Sequence, residues 1–126
     1  MSGVSISALY AGLFGLLAVL LANNVLRGRV RAARLPKWSP DAQLRVQANF
    51  VENVPLALAM LLILELQHTP AMALHAFGTV LLLCRVLHAW GLGSNAGPNY
   101  PRLIGAQGTF LLMSIMGVAL IYSALR

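Results

Sequence analysis

Four long apolar runs separated by short polar segments decide what this chain can fold into. Residues 4–26 are 23 consecutive positions without a charge, and a hydrocarbon core about 30 Å thick needs roughly 20 helical residues to cross it. Further apolar runs lie at 53–64, within 71–92 and from 103 onward. Lipid offers no partner to backbone N–H and C=O groups, so runs of this length read as helices rather than as the short alternating segments of a barrel. Hydrophobic residues make up 59% of the 126 positions and charged ones 10%, against roughly 25% charged in an ordinary soluble domain. The expected fold class is all-α: one integral membrane domain over residues 1–126, a four-helix bundle with helices at about 4–29, 41–66, 71–92 and 102–125.

The formal charge of +6 is concentrated, since six of the nine Lys and Arg residues fall between Arg27 and Arg45. Seven (Arg27, Arg29, Arg31, Arg34, Lys37, Arg45 and Arg102) lie on or beside the first and third connections, whereas the termini and second connection hold only Arg126. The positive-inside rule then puts loops one and three in the cytoplasm and both termini on the opposite side. This is a topology signal, and no nucleic-acid partner is expected. The basic stretch from Arg27 to Asp41, with two prolines and Trp38, reads as a loop at headgroup level, and Ser39-Pro40 as the start of helix two. Gln67-His68-Thr69-Pro70 forms a tight connection and residues 93–101 a turn-rich loop. No basic segment precedes the first run, so no targeting peptide is expected. The lone Cys84 excludes an intramolecular disulfide and a multi-cysteine metal site, and no metal is expected. Ala8/Gly12, Ala11/Gly15 and Gly105/Thr109 are small residues four apart, a spacing that lets helices approach closely within a bundle or between subunits. Trp38, Trp90 and Tyr122 fit aromatic-belt positions, and Glu65 and His68 read as interfacial residues.

The charge-free part of helix two is only twelve residues long, 53–64, which at 1.5 Å per residue covers roughly 18 Å. It cannot span the core alone, so Arg45, Asn49 and Glu52 are drawn into or near one leaflet. At i, i+4 and i+7 they stand within roughly 60° of one another on one helix face. Arg85 and His88, at i and i+3, share a face of helix three. With Arg27 and Arg102 these make seven polar residues from four helix ends in one layer, a cationic and partly desolvated cavity suited to an anionic ligand. Plainer readings stand beside this one: an Arg45/Glu52 structural pair, snorkelling of Arg27 and Arg102, a hydrogen-bonded core histidine at His88, and an inert apolar role for Cys84.

Arg45, Asn49, Glu52 and Pro55 together resemble the R-x-x-x-N-x-x-E-x-x-P signature of the MAPEG family, the membrane-associated proteins of eicosanoid and glutathione metabolism. Arg85-Val86-Leu87-His88 is similar to that family's helix-three R-x-x-H element, and Pro101-Arg102-Leu103-Ile104-Gly105 opens helix four as in many bacterial members. The resemblance covers essentially the whole chain. It implies a bacterial inner-membrane homotrimer with glutathione as co-substrate, bent into a pocket between subunits near the cytoplasmic face, and a lipophilic second substrate from the bilayer. Carried over by position, Arg27, Arg45, Gln47, Asn49, Glu52, Arg85 and His88 bind the tripeptide, with Glu52 on its amino group and arginines on its carboxylates. Arg102 resembles the arginine that stabilises the thiolate. A free thiol with a pKa near 8.5 is about 3% ionised at pH 7, and reaching half-ionisation needs about 2 kcal/mol of preferential stabilisation, within reach of one cation in a desolvated pocket.

The chain departs from the eicosanoid synthases at two positions, and its first loop is shorter than in the mammalian members. Leu92 occupies the position of their helix-three tyrosine, leaving Tyr100 as a candidate substitute, and Leu103 follows Arg102 where some prostaglandin-forming relatives have a serine. These differences weaken a specific eicosanoid role and leave a generic glutathione transferase or peroxidase, or a member whose activity has decayed. A competing class is a small four-span proton-coupled multidrug transporter using Glu52, although a cavity lined by arginines repels cationic drugs. A third is a structural membrane subunit without a ligand.

Overall fold

A computed structural model describes residues 5–35, 41–94 and 100–126, those at 41–43, 91–94 and 100–102 through their backbone alone. They form four helices, α1 (Ser5–Arg34), α2 (Asp41–Leu66), α3 (Ala71–Ser94) and α4 (Tyr100–Leu125). Each contains a stretch long and apolar enough to cross a membrane, and no strand occurs among the described residues. The expected helix start at Ser39-Pro40, Lys37 and Trp38 at headgroup level, and the turn-rich residues 95–99 lie outside the described residues.

The first helix does not stop near residue 29 but continues to Arg34. Arg and Ala are strong helix formers, and Arg31 and Arg34 in the last turn complement the negative end of the helix dipole. The basic residues that read as a loop are therefore largely helical. α1 has 30 residues and so measures about 45 Å, well beyond the hydrocarbon thickness.

Helices α2 and α3 form the centre. α1 packs against both, α4 packs against both, and α1 and α4 do not approach each other among the described residues. Neighbours in sequence run antiparallel: the end of α2 meets the start of α1 at Glu65, Ile6 and Ser7, and late α3 lies against early α4 at Cys84, His88 and Gly105. α2 gives the core Val46, Phe50, Val54, Ala57, Leu61 and Leu64, in steps of four and three that keep one face inward. Phe14 on α1 lies 6.2 Å from the Phe50 ring, and Leu81, Leu112 and Met116 close the other side. Large apolar side chains such as Leu16, Leu20, Leu111 and Val118 stay exposed, as a lipid-facing surface requires.

The two small-residue stripes have different fates. A Cβ at Gly105 would stand 2.5 Å from the Cys84 carbonyl oxygen and 2.6 Å from the His88 nitrogen, both backbone atoms. α4 thus reaches α3 only because Gly105 has no side chain. A Cβ at Gly12 or Gly15 would meet no other helix within 4 Å, and Ala8 and Ala11 beside them line an open apolar groove of about 330 Å³ between α1 and α2.

Glu65 is more than a plain interfacial residue. It is buried, with Oε2 accepting from the Ile6 N–H at 3.0 Å and Oε1 from the Ser7 N–H at 2.9 Å. The first N–H groups of a helix have no intrahelical acceptor and carry the positive end of its dipole, so this carboxylate caps α1 and fastens it to the end of α2. The connection that follows is a Schellman turn: Thr69 N–H donates to the Leu64 carbonyl at 3.1 Å and His68 N–H to that of Glu65 at 3.1 Å. His68 takes the left-handed position with φ 64°, and Pro70 then ends the turn.

Glu65→Ala leaves both N–H groups unmet and is expected to lower stability by about 1–3 kcal/mol, seen as an earlier thermal unfolding midpoint in detergent. Glu52→Gln, at an exposed position, serves as the matched control and leaves the midpoint in place.

Candidate functional site

The helix period of α2 decides where its polar residues go. At 100° per residue, Arg45, Asn49 and Glu52 lie about 130° round the helix from the centre of the buried stripe. Arg45 and Glu52 are accordingly exposed and Asn49 is half-buried. Gln47 is half-buried but sits about 65° to the other side of that stripe, so the body of α2 separates it from the other three. Arg45 and Glu52 are two turns apart, a rise of roughly 10 Å, and no ion pair joins them among the described residues.

Asn53, which the sequence reading passed over, braces this face. Its Nδ2 donates to the Asn49 carbonyl at 2.9 Å and lies 3.4 Å from Asn49 Oδ1. An amide one turn beyond Asn49 was the available signal. Pro55 sits inside α2, and because proline has no N–H the Val51 carbonyl one turn earlier, next to Glu52, loses its helical donor.

Helix α3 contributes from inside the bundle. Arg85 is 2% exposed and His88 4%. Arg85 Nη1 donates to Thr109 Oγ1 at 3.5 Å, Nη2 lies 3.5 Å from His88 Nδ1, and the Thr109 hydroxyl donates to the Gly105 carbonyl at 2.7 Å. Arg85 Nε is buried without a hydrogen-bond partner among the described residues. Cys84, also buried, packs its Sγ where a Gly108 Cβ would stand, 2.5 Å away. Arg27 is exposed on α1. Arg102 lies on the first turn of α4, and its side chain, like those of Tyr100 and Leu92, falls outside the described residues.

Within one chain the described candidates thus form two groups. Arg85 and His88 join Thr109 in the interior, while Arg27, Arg45 and Glu52 stand on the outer surface. The α2 face offers a cation and an anion spaced along one helix, which suits a ligand carrying both a carboxylate and an ammonium group. The other end of the bundle holds a polar cluster with no sequence forewarning: Tyr10 Oη lies 3.0 Å from both His75 Nδ1 and Thr79 Oγ1, and 3.1 Å from the His75 carbonyl. Trp90 and Tyr122 are exposed, 61% and 65%, as aromatic-belt residues are.

The MAPEG family model matches residues 7–122 of the chain. Inner membrane protein YecN of Escherichia coli strain K12 is 33% identical over 90 residues, which cover 68% of this chain and 69% of that protein. The protein of the same name from Escherichia coli O6:H1 strain CFT073 gives the same figures. No solved structure gives a significant match.

Because Gly105 abuts backbone atoms at the root of His88, Gly105→Ala is expected to push α4 off α3 at a cost of about 1–3 kcal/mol. Gly12→Ala, which meets open space, costs nothing measurable in the isolated chain. Unfolding midpoints of the two variants in the same detergent check the contrast.

Proposed function

The chain belongs to the MAPEG family, and on that premise we propose that it is a glutathione transferase or peroxidase of the bacterial inner membrane. It binds glutathione in a cationic pocket closed between copies near the cytoplasmic face and stabilises the thiolate for attack on a lipophilic electrophile or peroxide. The observation that carries this reading is the exposed pair Arg45 and Glu52 on the membrane-spanning segment of α2. An ionised side chain facing hydrocarbon costs roughly 2.5–3.5 kcal/mol at the bilayer centre and less toward its surface. A zwitterionic ligand held against a neighbouring copy relieves that cost for both residues at once.

Glutathione has the matching chemistry, two carboxylates and an ammonium group on a flexible backbone. Arg45 and Arg27 take carboxylates through the guanidinium fork, Glu52 takes the ammonium, and Asn49 supplies a held amide. Gln47, on the far flank of α2, does not share the ligand held by Arg45 and Glu52 of its own chain. The open groove between α1 and α2 and the unfilled space at Gly12 and Gly15 give a neighbouring copy somewhere to pack. Arg102, at the start of α4, is assigned to the thiolate, and the second substrate arrives from the lipid side.

Titration of the detergent-solubilised protein with glutathione, followed by heat release and by the ultraviolet absorbance of the thiolate, tests the reading. Saturable binding is expected, weakened roughly 10- to 100-fold in Arg45→Ala and in Glu52→Ala, each of which loses a charged hydrogen bond. Unchanged affinity in both variants overturns the site. Arg102→Ala is expected to keep most of the binding and lose the thiolate signal at neutral pH. Native mass spectrometry should find three copies, and a strictly monomeric protein removes the pocket between copies.

A further inference from the structure

We infer that Arg85 does not touch the ligand but is a positioning residue, which from inside the bundle fixes His88 as the Nε2–H tautomer and so makes His88 a hydrogen-bond donor rather than a base. The part concerning the ligand rests on the glutathione reading; the part concerning the tautomer does not.

The hydrogen-bond directions around Arg85 are determined one by one. A hydroxyl has a single proton, and that of Thr109 goes to the Gly105 carbonyl at 2.7 Å. Thr109 Oγ1 therefore faces Arg85 Nη1, 3.5 Å away, as an acceptor. The second terminal nitrogen, Nη2, stands 3.5 Å from His88 Nδ1. A guanidinium has only donors, so Nδ1 must present its lone pair, and the one proton of the neutral imidazole sits on Nε2. Protonating Nδ1 would set N–H against N–H and two positive charges side by side in an interior where Arg85 is 2% and His88 4% exposed, with little solvent to screen them.

The backbone holds this arrangement in place. Gly105 lies against the His88 nitrogen and α-carbon, fixing the root of the histidine, while Thr109, one turn further along α4, fixes the far end of the arginine. At 2% exposure Arg85 cannot itself reach a ligand on the outer face that carries Arg45 and Glu52. The consequence for the chemistry is specific. With Nδ1 accepting from Arg85 and the single proton on Nε2, neutral His88 has no lone pair left to take a thiol proton. Thiolate formation then depends on nearby positive charge, with the proton released to water.

The test is nitrogen NMR of detergent-solubilised protein labelled with ¹⁵N-histidine, without glutathione. The chain has three histidines, and His88→Gln identifies the signals of interest by their loss. The expected spectrum shows an unprotonated, pyridine-type Nδ1 and a protonated, pyrrole-type Nε2 for His88. A protonated Nδ1, or the averaged signals of mixed tautomers, overturns the inference. In Arg85→Met the preference should vanish into averaged signals, and a tautomer that persists there removes Arg85 from the account. Where Arg85→Met does not fold, Arg85→Gln, whose amide can either donate or accept, is read in its place with the same expectation. Glutathione titration of the same sample separates the two readings: a fixed Nε2–H tautomer without glutathione binding overturns the proposed function alone, and binding with the opposite tautomer overturns this inference alone.

Discussion

Lipid gives two apolar helices no hydrophobic reason to leave it for each other, because hydrocarbon tails are as apolar as leucine. What holds such a bundle is close packing and the few polar bonds that lipid cannot replace. Both are present here at identifiable places. Gly105 and Gly108 let α4 sit directly on the backbone and sulfur of α3, and Gly78 accepts the face of the Tyr10 ring against α3. Glu65 joins α1 to α2 through two backbone bonds, and Arg85 joins α3 to α4 through Thr109. The buried stripe of α2 matters less for the area it hides than for the density with which the other helices fill in around it.

The two ends of the bundle use polarity differently. At one end a single carboxylate and a tyrosine hydroxyl are satisfied inside one chain, and the result is attachment. At the other, Arg45 and Glu52 have no hydrogen bond or ion pair among the described residues and stand exposed on the outer face, while Arg85 is tied down within. Two kinds of positive charge thus sit in neighbouring layers: one buried and held by hydrogen bonds, and one exposed on the outer face. An ion-pair reading of Arg45 and Glu52 would have merged these roles, and the roughly 10 Å between them along the helix keeps them apart.

Much of this was legible in the sequence, for reasons that are local. The four spans follow from run length and the bounds of α2 from its flanking polar residues. The exposed placement of Arg45 and Glu52 follows from the 100° step applied to Val46, Phe50 and Val54 beside them. The position of Gln47 on the opposite flank was equally available from that step, but a motif read by spacing alone does not register it. Other features depend on contacts far apart in sequence. Glu65 finds its partners 58 and 59 residues away, and nothing near it announces a buried carboxylate. The small-residue spacing on α1 and on α4 looks alike, yet only Gly105 meets a neighbour within the chain. The length of α1 was hidden by charge: Arg27 to Arg34 reads as a break in hydropathy, whereas arginine is a good helix former that simply carries the helix out of the apolar layer.

The absence of any approach between α1 and α4 among the described residues bears on how such a chain reaches its final form. Its most extensive packing joins α3 to α4 and α1 to α2, helices that follow one another in sequence and so enter the membrane as hairpins. Each new helix can dock on one already inserted, with only short loops to close and little entropy to surrender. No step waits for the first helix to find the last, as it must where a bundle closes into a ring. The order of synthesis and the order of assembly are therefore able to coincide.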